Sequence, residues 1–489
     1  MSKICLRKNH RLKYYLIGFF LALITVLFFR VIPVASSSDA RELYLAFKIC
    51  EGEAEFLFPN RLGFPSSKPP FYHWLLCASS KLTNSSNFAL LGRLVNFSSV
   101  LVIFYSLWLL FGARALAASL IMMVTYVFWD ELISTKVDFV TCALIVLAVS
   151  FFVGKRYVLG VFVSVLSVFA KSLFPLFFIA VFSLALISEF THGLVVLGLI
   201  GSVAIFGIIF TYLANIDFFK VWVVFEIFSR GLGDVDINPS PWYFYAQKFL
   251  VNFFPISFVS IAAAFNFQKL TWHGKRLILA SAFVLFCLSF MEGKRTNYIL
   301  PLLPFLAAVL ATNLKICFRP LRIVAKSVEV LFLSISCLIF VVLLKPDVRN
   351  PLTILFVFTF DNLPIFLGSC LTLSLISNRK PLLRAAFTFS FFWIIVVSYQ
   401  NVLKHHRKFD LRIFNLIHRE CPEVIVLKEH RNEAFDLLIF NLKDKIKNNL
   451  VNSDNKYCIL ADNPNEKTDN HCLVLEKRSN LTLLRCFKV

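Results

Sequence analysis

Polar punctuation is scarce in this chain: only 16% of its 489 residues are charged, whereas 58% are hydrophobic. A soluble domain of this size carries about a quarter charged residues, so a water-solvated globule is excluded as the main plan. No close CxxC pair and no His/Cys group at zinc spacing occurs, which argues against a structural zinc module. No run alternates apolar and polar residues over about ten positions, so a transmembrane β-barrel is excluded too. Acidic residues are few, 29 against 50 Lys and Arg, giving a formal net charge of +21. Those cations are spread over short loops and the tail without a basic face interleaved with aromatics, so no nucleic-acid partner is expected. No internal repeat of the transporter kind is evident.

What is present is apolar sequence in runs of roughly 17 to 25 residues, the length that crosses about 30 Å of hydrocarbon as a helix. Mean hydropathy is +0.74, and 57 phenylalanines contribute to it. The first run, about 15–34, follows Lys3, Arg7, Lys8, Arg11 and Lys13, which places the N-terminus in the cytoplasm. It reads as a retained anchor, the alternative being a signal peptide ending near Ala35.

Further spans are expected at about 88–111, 114–130, 138–153, 157–170, 172–188, 193–214, 248–266, 276–291, 298–313, 327–345, 351–376 and 383–402, about thirteen in all. Alternation then gives the cytoplasmic loops Arg114, Lys155, Arg156, Lys269, Lys275, Arg276, Lys315, Arg319, Arg322, Lys326, Arg379, Lys380 and Arg384, the bias expected of that side. The opposite face receives the first outer loop, about 36–87, the stretch 131–137, the segment 215–247, the link 292–297 and everything after about 403. The fold expected is a polytopic all-α membrane domain, 1–402, with a small α/β domain, 403–489. Strands are expected in that tail at 424–427, 457–460, 472–475 and 481–484, and an amphipathic helix at 433–447.

Most of the twelve cysteines read as small buried side chains. Cys421, Cys458, Cys472 and Cys486 lie in the polar tail and would be able to pair in an oxidising compartment.

Chemistry concentrates in the outer segments. Asp39 and Glu42 follow the first span. Helical spacing of Leu43, Ala46, Phe47 and Cys50 gives that segment an apolar face suited to lying along the membrane surface. Arg61 and then Lys68-Pro69-Pro70 come next, the prolines fixing an extended approach that holds the lysine at the interface. Tyr72 and Trp74 suit the headgroup belt. Transfer of a sugar from a polyprenyl phosphate needs a base for the acceptor proton and cations for the departing phosphate, and these residue types supply both. Lys171 sits between two short apolar runs, where an ammonium usually pairs or lines a wet cavity. Asp361, within an apolar run, reads as structure or pore lining.

An acidic residue after the first span followed by Lys68-Pro69-Pro70 and then Tyr72 and Trp74 resembles the first outer loop of the protein O-mannosyltransferase and lipid A aminoarabinose transferase superfamily, polytopic enzymes of GT-C fold. Further segments fit in order: Arg93 at the head of the second span, Thr135 to Asp138, Ala170-Lys171-Ser172, Arg230 before the Pro-aromatic cluster with Trp242 and Tyr243, and Gly293-Lys294-Arg295 leading to Tyr298, Pro301 and Pro304. The resemblance covers about residues 10–315 well.

It implies a glycosyltransferase that moves a sugar from a polyprenyl (undecaprenyl) phosphate to lipid A, another glycan or a protein, at the outer face of a bacterial inner membrane. It assigns Asp39 or Glu42 as base with Asp138 in support. Arg61, Lys68, Lys171, Lys294, Arg295 and Tyr298 fall to the donor phosphate, and Arg93, Arg230, Trp242 and Tyr243 to acceptor or positioning. No cofactor or metal ligand set is implied. The sequence departs from the pattern twice: Asp39 and Glu42 are separated rather than adjacent, and Asn238 stands where a histidine is common. A transporter or flippase of a lipid-linked or anionic substrate is the rival reading.

Overall fold

The computed structural model describes residues 37–61, 64–229, 240–313, Val397, Gln400 and four strands of the tail. The expected first span, Arg230, Asn238 and Asp361, the expected tail helix 433–447 and the expected spans from 327 onward, apart from Val397 and Gln400, lie outside the described residues.

Helix α1 (Ser37–Cys50) opens with Asp39 in its first turn, where a carboxylate complements the helix dipole. Its apolar stripe, Ala40, Leu43 and Ala46, is fully buried. The stripe faces α2 (Phe71–Thr83) and α3 (Phe88–Phe111) within the protein, so the expectation that α1 rests on the membrane surface through this face is corrected. A disulfide between Cys50 and Cys77, Cα atoms 5.3 Å apart, pins α1 to α2. Two cysteines that read as isolated apolar residues are thus a cross-link, which constrains the unfolded chain and is characteristic of an oxidising compartment.

Helix α2 starts directly after Pro70, as the double proline requires, and stops at Asn84, whose left-handed φ of 48° places a residue type that tolerates it. Asn87 caps α3, its Oδ1 accepting from the Leu90 amide at 3.0 Å. With α4 (Ala115–Met122), α3 makes a 35-residue apolar helix, Phe88–Met122, long enough to cross a membrane. Leu101, Tyr105 and Trp108 lie exposed along it, as lipid contact demands.

The expected span at 114–130 is instead divided between α4 and the short α5 (Tyr126–Ile133). After a break at 134–137, α6 (Asp138–Val153) leaves α5 at 114°. Helix α6 is apolar all round and almost wholly buried, with α3, α7 (Tyr157–Lys171) and α8 (Phe174–Leu186) around it. Gly160 of α7 lets that helix close on α6, since a Cβ there would lie 2.7 Å from the Phe152 ring.

Helix α9 (Phe190–Ala214) is the second helix among the described residues long and apolar enough to span. It leads through α10 (Ile216–Phe219) into a π-helical turn, Lys220–Ser229. The expected span 248–266 is a second bent pair, α11 (Phe244–Asn252) and α12 (Ile256–Phe265), crossing at 111°. Helix α13 (Trp272–Ser289) and the buried α14 (Leu302–Thr312) complete the described bundle. In the tail, β1 (Val424–Val426), β2 (Lys456–Ala461), β3 (Cys472–Arg478) and β4 (Leu481–Phe487) form one sheet ordered β1-β2-β4-β3, where strands were expected. The pair β1/β2 is parallel and the other pairings are antiparallel.

The two ends of the bundle differ in chemistry. At one end Lys155 pairs with Glu189 at 2.9 Å, Arg276 donates to the Ile187 carbonyl at 2.7 Å, and the Thr271 amide donates to Asn313 at 2.9 Å. These are segments assigned by charge to one side. At the opposite end the segments carrying Asp39, Asp138, Lys171 and Asn297 meet.

Candidate functional site: a buried cluster of carboxylates and cations

Helix α3 builds the frame. Arg93 Nε donates to the Ile133 carbonyl at 3.1 Å, and Asn96 Nδ2 donates to the carbonyls of Glu131 at 3.1 Å and Ser134 at 2.5 Å. The break between α5 and α6 is thereby fixed against α3, its freed carbonyls satisfied by side chains as burial requires. So held, it presents the Thr135 amide to Asp39 Oδ2 at 3.4 Å and Lys136 Nζ to Asp39 Oδ1 at 3.8 Å.

Glu42 lies one turn along α1 on the same face as Asp39. Its Oε2 is 2.7 Å from His73 Nε2, and His73 is completely buried. Burial pushes the Glu42 carboxyl up, but the His73 hydrogen bond and the positive charges of His73, Arg41 and Lys68 outweigh it and hold the group below its ordinary value of 4.5. A carboxyl depressed in the folded state stabilises fully above pH 4.5, and that contribution disappears as pH falls through its folded value. Thermal unfolding in lipid should therefore show a loss of melting temperature below about pH 4.5 in the wild type that is reduced in Glu42→Gln.

Tyr72 corrects a sequence expectation. It is fully buried rather than at a headgroup belt, because α2 turns it inward against α3. A Cβ on Gly92 would come within 3.0 Å of both the Tyr72 hydroxyl and Thr135 Cγ2, so the missing side chain at 92 is what admits the phenol. Burial and the carboxylates Asp39 and Glu42 hold that phenol well above its ordinary value, so it is a proton donor at any physiological pH. Trp74 is partly covered instead, stacked on Phe56 with its Nε1 donating to the Phe56 carbonyl at 2.7 Å.

Asp138 heads α6. It pairs with Lys171 at the end of α7, and Asn297 Nδ2 donates to its other oxygen. The Lys171 ammonium also lies 4.8 Å from the Tyr298 ring centroid, a cation-π distance. Three segments distant in sequence therefore meet at one ion pair. Lys68 is 9% exposed, and its charge reaches both Glu42 and Asp138. Together with the buried Glu131, four acidic side chains (Asp39, Glu42, Glu131, Asp138) share this region with four basic ones (Lys68, Arg93, Lys136, Lys171), and opposite charges in contact offset the cost of leaving water.

Of the expected site residues, Asp39, Glu42, Lys68, Arg93, Asp138, Lys171 and Tyr298 come together here. Lys294 lies on a neighbouring segment, its Nζ donating to the Ser240 carbonyl at 3.0 Å, while the Arg295 amide donates to the Tyr245 hydroxyl at 3.2 Å and its side chain is exposed. Trp242 and Tyr243 are exposed, at 76% and 51%, and of Arg61 only the backbone is described, paired with Phe64. His73, Glu131 and Lys136 join the cluster although they were not expected as site residues; the signals for them were the polarity of His73 and Glu131 beside apolar residues and the place of Lys136 inside the segment Thr135 to Asp138. Among the described residues no three His, Cys, Asp or Glu side chains converge as a metal site would require.

The chain superposes on the crystal structure of ArnT from Cupriavidus metallidurans bound to undecaprenyl phosphate with a TM-score of 0.68, covering 96% of this chain and 98% of that one at 11% identity. The apo state of the same protein gives 0.66, with 97% and 98% covered, also at 11% identity. The chain has the GT-C fold. No protein-family model matches its sequence, and no curated protein does. At 11% identity the likeness is one of fold.

Proposed function

We propose that this protein is a glycosyltransferase that takes a sugar from a polyprenyl phosphate donor at the outer face of a bacterial inner membrane and delivers it to a lipid, glycan or protein acceptor. The observation that carries this reading is the meeting of Asp39, Glu42, Lys68, Asp138 and Lys171 at one end of an ArnT-like bundle. The structure of ArnT holds undecaprenyl phosphate, a ligand whose anionic head and apolar tail suit buried cations beside lipid-facing helices. About thirteen spans, a cytoplasmic N-terminus and an outer α/β tail belong to the same proposal, supported by the two chemically distinct ends of the bundle and by the Cys50–Cys77 disulfide in the first outer loop.

Asp39 is the general base. It sits in the first turn of α1 beside the Thr135 amide and Lys136, with Glu42 held by His73 and Asp138 held by Lys171 and Asn297 as its supports. It takes the proton of the acceptor hydroxyl as that oxygen attacks the anomeric carbon. The bond from that carbon to the phosphate oxygen breaks with its electron pair, and the departing polyprenyl phosphate is stabilised by Lys68 and Lys171, with Lys294 and Arg295 at the edge. One displacement inverts the anomeric centre. The depressed Glu42 and its histidine fix α1 against α2 and so aim Asp39.

Purified protein in sealed vesicles, supplied with a labelled polyprenyl-phosphate sugar and a panel of lipid, glycan and peptide acceptors, tests the reading. Label should appear in an acceptor. Translocation of donor with no transfer would replace the transferase by a flippase.

A further inference from the structure

Lys68 and Lys171 reach the cluster from segments more than a hundred residues apart, yet one residue, Trp222, is hydrogen-bonded beside both, through its indole to Ser66 and through its carbonyl to Ser172. Trp222 Nε1 donates to the Ser66 carbonyl at 2.7 Å, and the Trp222 carbonyl accepts from the Ser172 hydroxyl. Ser66 in turn fixes Lys68 directly: its Oγ donates to the Lys68 carbonyl at 2.9 Å and accepts from the Lys68 amide at 3.3 Å. On the other side, Ser172 is the residue that follows Lys171 and ends α7.

Two features show that this tie is held at a cost in conformation. Ser172 has φ of 58°, a left-handed backbone that a β-substituted residue rarely adopts without compensation. Trp222 lies in a π-helical turn, an irregularity that recurs where function constrains a helix. The indole itself is 4% exposed, with Phe58 at 5.8 Å and Phe218 at 4.9 Å between ring centroids. It also walls an apolar groove together with Pro69, Phe169, Leu173 and Phe210, so residues adjoining both lysines, Pro69 and Ser172, line the same space.

We propose that Trp222 is a positioning residue: through Ser66 and Ser172 it sets the separation of Lys68 and Lys171 and thereby the width of the phosphate clamp. This rests on the transferase reading for the identity of the phosphate, but not for the tie itself. Trp222→Phe keeps the ring and removes the donor, and Ser172→Ala removes the opposite hydrogen bond with little change in volume.

The test uses full-length protein in nanodiscs and two readouts, equilibrium binding of undecaprenyl phosphate and the rates at which an amine-reactive reagent labels Lys68 and Lys171. Each variant should bind the lipid phosphate about tenfold more weakly because the two ammonium groups are no longer held at one separation, while it stays folded with a melting temperature lowered by only a few degrees for the lost internal hydrogen bond. Labelling of both lysines should accelerate. In a Lys68→Met background Trp222→Phe should add little, because coupled groups are not additive. Wild-type binding and labelling in a folded Trp222→Phe or Ser172→Ala would overturn the proposal, as would an undiminished effect in the Lys68→Met background. If Trp222→Phe fails to fold, Ser172→Ala decides. Wild type that binds no lipid phosphate, with labelling still accelerated in the variants, would sink the transferase reading and leave the tie standing.

Discussion

Lys171→Met is expected to cost about 3–5 kcal/mol of stability, because it leaves the Asp138 carboxylate buried without its cation. It should also abolish transfer. Adding Asp138→Asn to it removes the stranded charge while Asn297 keeps a hydrogen-bonding partner at that site, so the double variant should recover most of the lost stability. It should not recover activity, since the clamp has lost an ammonium. Denaturation midpoints in detergent alongside transfer rates separate the two effects. A Lys171→Met protein as stable as the wild type would mean that the pair is not a buried ion pair at all.

The second large effect concerns the base. Asp39→Asn should lower kcat by about 10²–10⁴-fold with the donor KM little changed, the loss expected when a general base is removed but the binding cations stay. Glu42→Gln should be milder, because that carboxylate already spends an oxygen on His73 and acts by holding α1. His73→Gln should resemble Glu42→Gln rather than Asp39→Asn. Steady-state kinetics on all three decides it, and equal losses at Asp39 and Glu42 would contradict the assignment.

Much of the bundle was legible because hydrophobic length is a one-dimensional property. The boundaries of α3 and α6 fall where the apolar runs 88–111 and 138–153 begin and end. The two bent pairs were less visible, since a break of a few residues inside an apolar stretch leaves the hydropathy nearly unchanged. The same distinction holds at the site. Asp138 and Lys171 stood out as charges beside apolar runs, a placement that demands partners. Which partner each takes is decided by packing: His73 meets Glu42 across 31 residues and Asn297 meets Asp138 across 159, separations that no local periodicity encodes. Tyr72 misled for a related reason. Its neighbours Pro70 and Trp74 suggest an interface, and only the absent side chain of Gly92, on another helix, makes room for it inside.

A single-turnover experiment tests the central claim most directly. Enzyme in excess over a polyprenyl phosphate sugar, labelled in both sugar and lipid, is mixed with acceptor, and the products are followed by chromatography and by NMR of the new linkage. The account predicts that free polyprenyl phosphate and glycosylated acceptor appear together, one for one, with the anomeric centre inverted and the step slowed in Asp39→Asn. Retained configuration, or sugar and lipid staying joined while Asp39→Asn behaves as wild type, would contradict it.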